Sequence, residues 1–199
     1  MGITKARTKL GNILTWNVRA VDTCPGASEG CLEWCYALNG HFRFANVKSA
    51  HDRNLEASKQ DGWVDQMVKD IDPDPFRVHV AGDFYSERYV LDWIRIAQRT
   101  PDTQYWAYTK SWRVPELMPT LETLRAQPNF QLFASWDESM PEPPPEGWRI
   151  AAMDGEVEGY RCPEQDRSKV GGPPPSKESC LDCGYCFKGK KNNVTFMEH

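Results

Sequence analysis

The chain has 199 residues and a formal net charge of −4, with 40% hydrophobic and 26% charged residues. Eight Trp, eight Phe and seven Tyr make it too aromatic for a largely disordered protein, and its length suits one sizeable domain or one domain with a small appendage. The acidic balance excludes the broad basic footprint of a general duplex-DNA binder, and no apolar run approaches the length of a membrane span.

Met1 to Leu10 is polar and basic with no apolar stretch behind it, so no secretory signal is expected and the cytoplasm is the expected compartment. Ile13 to Asn17 reads as a first short strand, and Val18 to Cys35 as a loop rich in Gly, Pro and Cys. Tyr36 to Lys59 reads as mostly helical, with Phe44, Val47, His51 and Leu55 near one face. A second helix over Trp63 to Asp70 stops at Asp72-Pro73. Phe76 to Val80 reads as a strand closed by Ala81-Gly82-Asp83. Ser86 then caps a helix that runs to Arg99. A strand over Thr103–Tyr108 precedes a helix over Val114–Gln127, with Pro115 in its first turn. Strands at Phe130–Ala134 and Trp148–Met153 follow, separated by a Pro/Glu-rich connector, Pro141 to Gly147. Gly171 to Ser176 reads as a loop and Asn192 to His199 as a frayed tail. Strands alternating with helices predict an α/β fold with a parallel sheet.

In a reducing compartment, seven cysteines point to metal or catalysis and not to disulfides, and an odd number agrees. They fall into two groups. Cys24, Cys31 and Cys35 lie on the strand-to-helix loop, followed at once by Tyr36. Three thiolates hold a 4Fe–4S cluster by three irons and leave the fourth open to a small molecule. The competing reading is a structural zinc that borrows a fourth ligand such as His41. The second group is Cys180, Cys183 and Cys186 with Cys162 as the natural fourth member, the alternative being that Cys162 crosses to the N-terminal group. The C-x2-C-x2-C triplet with one remote partner is ferredoxin-like and predicts a closed cluster, with a four-thiolate zinc as the alternative. Residues 1–155 would form the main domain and 156–199 a cysteine-rich extension.

Ligands of parallel α/β folds bind at the C-terminal ends of the strands. Those ends carry Asn17, Asp83, Ser86, Lys110, Ser135, Asp137 and Asp154, which are the candidate pocket residues; ordinary cap and loop duty is the alternative for Ser86 and Ser135. Arg53-Asn54 could face the same pocket, whereas His79, inside a strand, reads as a core residue.

Cys31-Leu32-Glu33-Trp34-Cys35-Tyr36 resembles the radical S-adenosylmethionine motif C-x3-C-aromatic-x-C. The motif's third cysteine falls at Leu38, and Cys24 upstream is the candidate to replace it. CPGASEGCLEWCYA (24–37), HVAGDFYSERY (79–89), YWAYTKS (105–111), CPEQ (162–165) and CLDCGYCF (180–187) are together similar to the bacteriophage gene-product-88-like family. The resemblance implies a shortened, radical-SAM-like parallel β/α barrel with two 4Fe–4S clusters. It also implies S-adenosylmethionine as cofactor, with Tyr36 beside it, Asp83 at its amino group, and Lys110 at a carboxylate or as an acid. An unknown substrate, an electron donor and the cytoplasm of a phage host complete that expectation. The rival is a non-catalytic, metal-stapled protein that binds nucleic acid or a host protein.

Overall fold

The structure, a computed structural model, describes residues 2–6, 10–163, 179–189 and 192–197. The loop expected over Gly171–Ser176 lies outside the described residues, as do Glu164, Gln165, Lys190 and Lys191.

Among the described residues, eight strands form one sheet: β1 (Thr4–Ala6), β2 (Ile13–Trp16), β3 (Phe76–Val78), β4 (Tyr105–Thr109), β5 (Phe130–Ser135), β6 (Arg149–Met153), β7 (Tyr160–Arg161) and β8 (Val194–Phe196). Their order is β1-β2-β3-β4-β5-β6-β8-β7. Among the described residues, only the β1–β2 pair is antiparallel. Six α-helices among these residues accompany the strands: α1 (Glu29–Glu33), α2 (Ala45–Ser58), α3 (Trp63–Asp70), α4 (Glu87–Arg99), α5 (Met118–Arg125) and α6 (Cys180–Cys183). Parallel strands in sequential order, joined by crossovers of one hand, put the crossover helices on one face of the sheet.

Side-chain alternation makes both faces apolar. Leu14, Trp16, Phe76, Val78, Tyr105, Ala107, Phe130, Leu132 and Ala134 point to the helical face and are buried with Trp63, Tyr89 and Trp93. There the rings of Trp63 stand 5.4 Å from Trp16, 5.5 Å from Tyr89 and 5.7 Å from Trp93. Many aromatic residues therefore serve this layer. The opposite face carries Ile13, Trp106, Tyr108, Phe133 and Val194, and the cysteine-rich C-terminal segment packs against it.

Several expected boundaries move, each for a local reason. The expected helix from Tyr36 is two 3-10 turns, Tyr36–Leu38 and Gly40–Arg43, because Gly40 takes a left-handed φ of 54°. The true helix starts at Ala45, and Phe44 is exposed instead of lying on its buried face. β3 ends at Val78, two residues early, since His79 itself turns the chain with φ 63°. The helix expected from Val114 begins at Met118, with Pro119 in its first turn, where a missing N–H costs little. The expected frayed tail contains β8, whose Val194 and Thr195 are buried and whose register pairs Ala151 with Val194. Residues beyond 155 thus add two strands to the common sheet. β1 was not foreseen; its Thr-Lys-Ala sequence suits a polar edge strand.

Candidate metal centres

Cys24 follows β2, Cys31 lies in α1, and Cys35 stands just beyond it. Short polar clamps fix this loop to the ends of β4 and β5. Arg113 donates to the carbonyls of Gly26 at 3.2 Å and Ala27 at 3.3 Å. Ser28 caps α1: it accepts from the Cys31 amide at 3.0 Å and donates to Asp137 Oδ2 at 2.6 Å. The Gly30 amide donates to Ser139 Oγ at 3.2 Å. Gly26 sits so close to β4 that a Cβ there would fall 1.9 Å from the Lys110 carbonyl oxygen.

The three thiols thereby share one electrostatic neighbourhood with Asp83, Lys110 and Asp137. Burial pushes the Cys24 thiol up to about 12, and the charge of Asp83 adds to it. Burial also raises Cys31, against the opposing pull of Lys110. A metal arriving here would displace protons.

The expected pocket residues take several different jobs. Asn17 Oδ1 accepts from the amides of Val80 at 2.6 Å and Ala81 at 3.0 Å, and its Nδ2 donates to Thr15 at 2.7 Å. It therefore clamps β2 to the end of β3. Asn54 does similar work, donating to the carbonyl of Asn17 at 2.9 Å, while Arg53 is exposed and donates to Ser49. Asp83 is buried and accepts from the Phe84 amide (2.7 Å), Thr109 Oγ1 (2.6 Å) and the Lys110 amide (2.8 Å). Burial raises its pKa, and these bonds oppose the rise. Its carboxylate thus joins the ends of β3 and β4 directly beneath the cysteine loop.

Lys110 Nζ pairs with Asp137 Oδ2 at 2.7 Å, both side chains being mostly shielded from water. Burial pushes the Asp137 carboxyl up, but donors from Lys110, Ser139 and Ser28 outweigh it and bring it down to about 2. Tyr36 donates its hydroxyl to the Val80 carbonyl and leaves its ring exposed beside Cys35. Ser86 is the α4 cap, accepting from the Tyr89 amide at 3.3 Å. Ser135 ends β5, where its carbonyl accepts from the Trp112 indole at 3.1 Å. His41 lies in the exposed turn against Phe42, with ring centres 4.1 Å apart. Asp154, at the end of β6, pairs with Arg161 across the sheet edge.

The second group gathers on the opposite face of the sheet. Cys162 follows β7, Cys180 and Cys183 bound α6, and Cys186 lies in the turn after it. All four line a single pocket, whose walls include Trp106, Tyr160, Tyr185, Phe187 and Val194. Cys162 is thus grouped with the C-terminal triplet. Ser179 closes a capping box with Asp182 and sets the start of α6, and Gly184, with φ 65°, ends it. Tyr108 donates to Cys186 Sγ at 2.9 Å, and burial pushes the Cys186 thiol up to about 11. Among the described residues, no three His, Cys, Asp or Glu side chains converge tightly enough to hold one bare metal ion.

Residues 2–189 match the family described as Gene product 88. The chain belongs to the Gene product 88 family. It is 30% identical to the Gene 88 protein of Mycobacterium phage L5, and 29% identical to the Gene 88 protein of Mycobacterium phage D29. Each alignment covers 85% of this chain and 80% of the relative. No solved structure matches the chain.

The stretch matched to Gene product 88 contains both cysteine groups and ends before β8. Two features of this family member were not in the sequence reading. One is the role of Asp137, a candidate by its place after β5, as the hub that ties Ser28, Lys110 and Ser139 together. The other is Arg77, a cation on the buried second face of β3, next to Tyr108 and the C-terminal cysteines. Its signal was a charge in mid-strand, Phe76-Arg77-Val78, where alternation points it at whatever covers that face. No helix among the described residues is long and apolar enough to cross a membrane.

Proposed function

We propose that this Gene product 88 protein is an iron–sulfur protein with two centres of unlike task. The observation that carries the reading is the sorting of seven cysteines into two spatial groups. Four line one apolar pocket, and three stand at the strand ends beside charged groups. An all-thiol donor set suits iron–sulfur or zinc centres over harder cations. Four protein thiolates make a closed centre, fit for structure or electron passage. Three leave one iron coordination site for a small ligand, which the motif resemblance makes S-adenosylmethionine.

Cys24, Cys31 and Cys35 would hold the cluster, which when bound and reduced by one electron would supply the reductive cleavage of that cofactor. The chain's own residues do the rest. Asn17 and Asp83 hold the strand ends in register, and Ser28 and Arg113 seat the cysteine loop upon them. The Lys110–Asp137 pair offers a cation and an anion side by side, complementary to the carboxylate and ammonium of an amino-acid moiety. An external donor must bring the electron, and the hydrogen-donating substrate is unassigned.

The test is anaerobic purification with iron, sulfide and zinc analysis, and EPR after dithionite with and without S-adenosylmethionine. About eight irons per chain and a signal that shifts with the cofactor are expected. Zinc in place of iron, or about four irons and no shift, would reject the enzyme reading.

A second reading rests on a separate observation. Trp34 is 78% exposed, Phe44 62% and Tyr36 52%, with Leu32 and Leu38 also open. Arg43, Lys48 and Arg53 are exposed on the same 32–53 stretch. Stackable rings among cations suit a partner such as single-stranded nucleic acid or a host protein. Salt-dependent retardation of a single-stranded probe would favour it.

A further inference from the structure

Two arginines act electrostatically on Cys186 beside the C-terminal pocket, and among the described residues neither forms an ion pair with a carboxylate. Arg77 leaves β3 on the sheet's second face, its guanidinium 5.1 Å from the Tyr108 ring. The acidic groups near it are Tyr36, Tyr108, Cys180 and Cys186, and its Nε is buried without a hydrogen-bond acceptor. Arg149 leaves β6 on the same face, 4.0 Å over the Phe133 ring and 5.5 Å from that of Tyr185. It donates to the Asn192 carbonyl at 3.0 Å and to Gln131 at 3.2 Å. Its Nη2 is buried with no acceptor, and the acidic groups near it are Cys186, Tyr185 and Tyr108.

Holding a partly buried guanidinium without an anion is unfavourable, because its buried nitrogen loses water and gains no acceptor. Two such cations near one group of cysteines, each with a buried orphan donor, imply an anion that the carboxylates of the described residues do not provide. The sulfurs of the pocket are the available source. As neutral thiols they offer no charge, but as metal-bound thiolates they form a net anion.

We infer that Arg77 and Arg149 are the counter-charges of the C-terminal tetrathiolate centre, and that Arg77 sets its reduction potential. This deepens the two-centre reading and rests on it. Reduction adds one negative charge to a site already anionic, and a fixed cation beside it favours the reduced state. Arg77 is the stronger lever because the acidic groups acting on it are phenols and thiols, whereas Arg149 also engages an amide and a backbone carbonyl. Both act through the sulfurs, so they are positioning residues.

The test uses the full chain carrying Cys24→Ala, so that the C-terminal centre is observed by itself. Iron content and midpoint potential are measured for that protein and with Arg77→Met, Arg77→Lys or Arg149→Met added. Arg77→Met should keep the iron and lower the reduction equilibrium constant about tenfold, or about 59 mV for one electron. Arg77→Lys should stay near the parent, and Arg149→Met should shift the same way by less. Loss of iron in Arg77→Met but not in Arg77→Lys would equally support the charge role. An unchanged potential in Arg77→Met with iron retained would overturn it, as would loss of iron in both Arg77 variants. Failure of the underlying reading shows earlier, in the parent. If the parent holds zinc, the iron reading fails, and the charge role is then read from faster release of zinc to a chelator in Arg77→Met. A parent that takes up neither metal overturns both.

Discussion

The two cysteine groups use the same side chain in opposite settings. The N-terminal three stand on a loop seated over the strand ends, held by Ser28, Arg113 and Asp137, with exposed Trp34 and Tyr36 alongside. The C-terminal four are pressed against the sheet by Trp106, Tyr108 and Phe187, with Arg77 and Arg149 nearby. In the first site polar bonds fix the loop, whereas in the second an apolar wall backs the sulfurs and two cations act on Cys186. Ligand spacing alone does not tell these apart; the surroundings of the thiols do.

That contrast can be broken at either end. Gly26→Ala should have the largest effect, because the new Cβ meets the Lys110 backbone and the loop must lift. A loss of roughly 3 kcal/mol or more is expected in urea unfolding, with about four irons lost from the first site alone. Cys162→Ser should do the converse, removing the C-terminal centre and leaving the first site's EPR signal. Equal loss of both signals would show that the sites are not independent.

Asp137→Asn should cost about 1–2 kcal/mol near neutral pH, discounted for partial exposure, by freeing Lys110 and Ser28. The Asp137 carboxyl lies below its ordinary value, so its stabilisation is full above about pH 4 and fades as pH falls towards about 2. The gap between wild type and Asp137→Asn should close over that window when unfolding is followed by circular dichroism. A constant gap would remove Asp137 as the hub. Trp34→Ser, on the exposed side of the first site, should change stability by less than about 0.5 kcal/mol. Weaker retention of a single-stranded probe by this variant would sharpen the second reading, and unchanged retention would dismiss this surface.

Element type was legible where periodicity was strong. α4 spans Glu87–Arg99 with Ser86 as its N-cap, as its apolar stripe and cap indicate. Boundaries failed at residues with unusual backbone: Gly40 and His79 take left-handed φ values that no hydrophobic pattern signals. Among site residues, Asp83 and Lys110 were found from their place after a strand. Their partners Thr109 and Asp137 set what they do, and partnership across 26 or 27 positions leaves no local trace.

By itself the sequence determined the alternating α/β order, the family, and two sets of cysteines at spacings that suit metal centres. These depend on short-range pattern, which a linear reading contains. Only the tertiary structure decided that Cys162 lines the pocket of the C-terminal triplet and that the chain's end returns to the sheet as β8. It likewise decided that Arg77 faces sulfur and phenol instead of a carboxylate. Those outcomes depend on which face of a strand meets which distant segment, and packing sets that once the whole chain has closed.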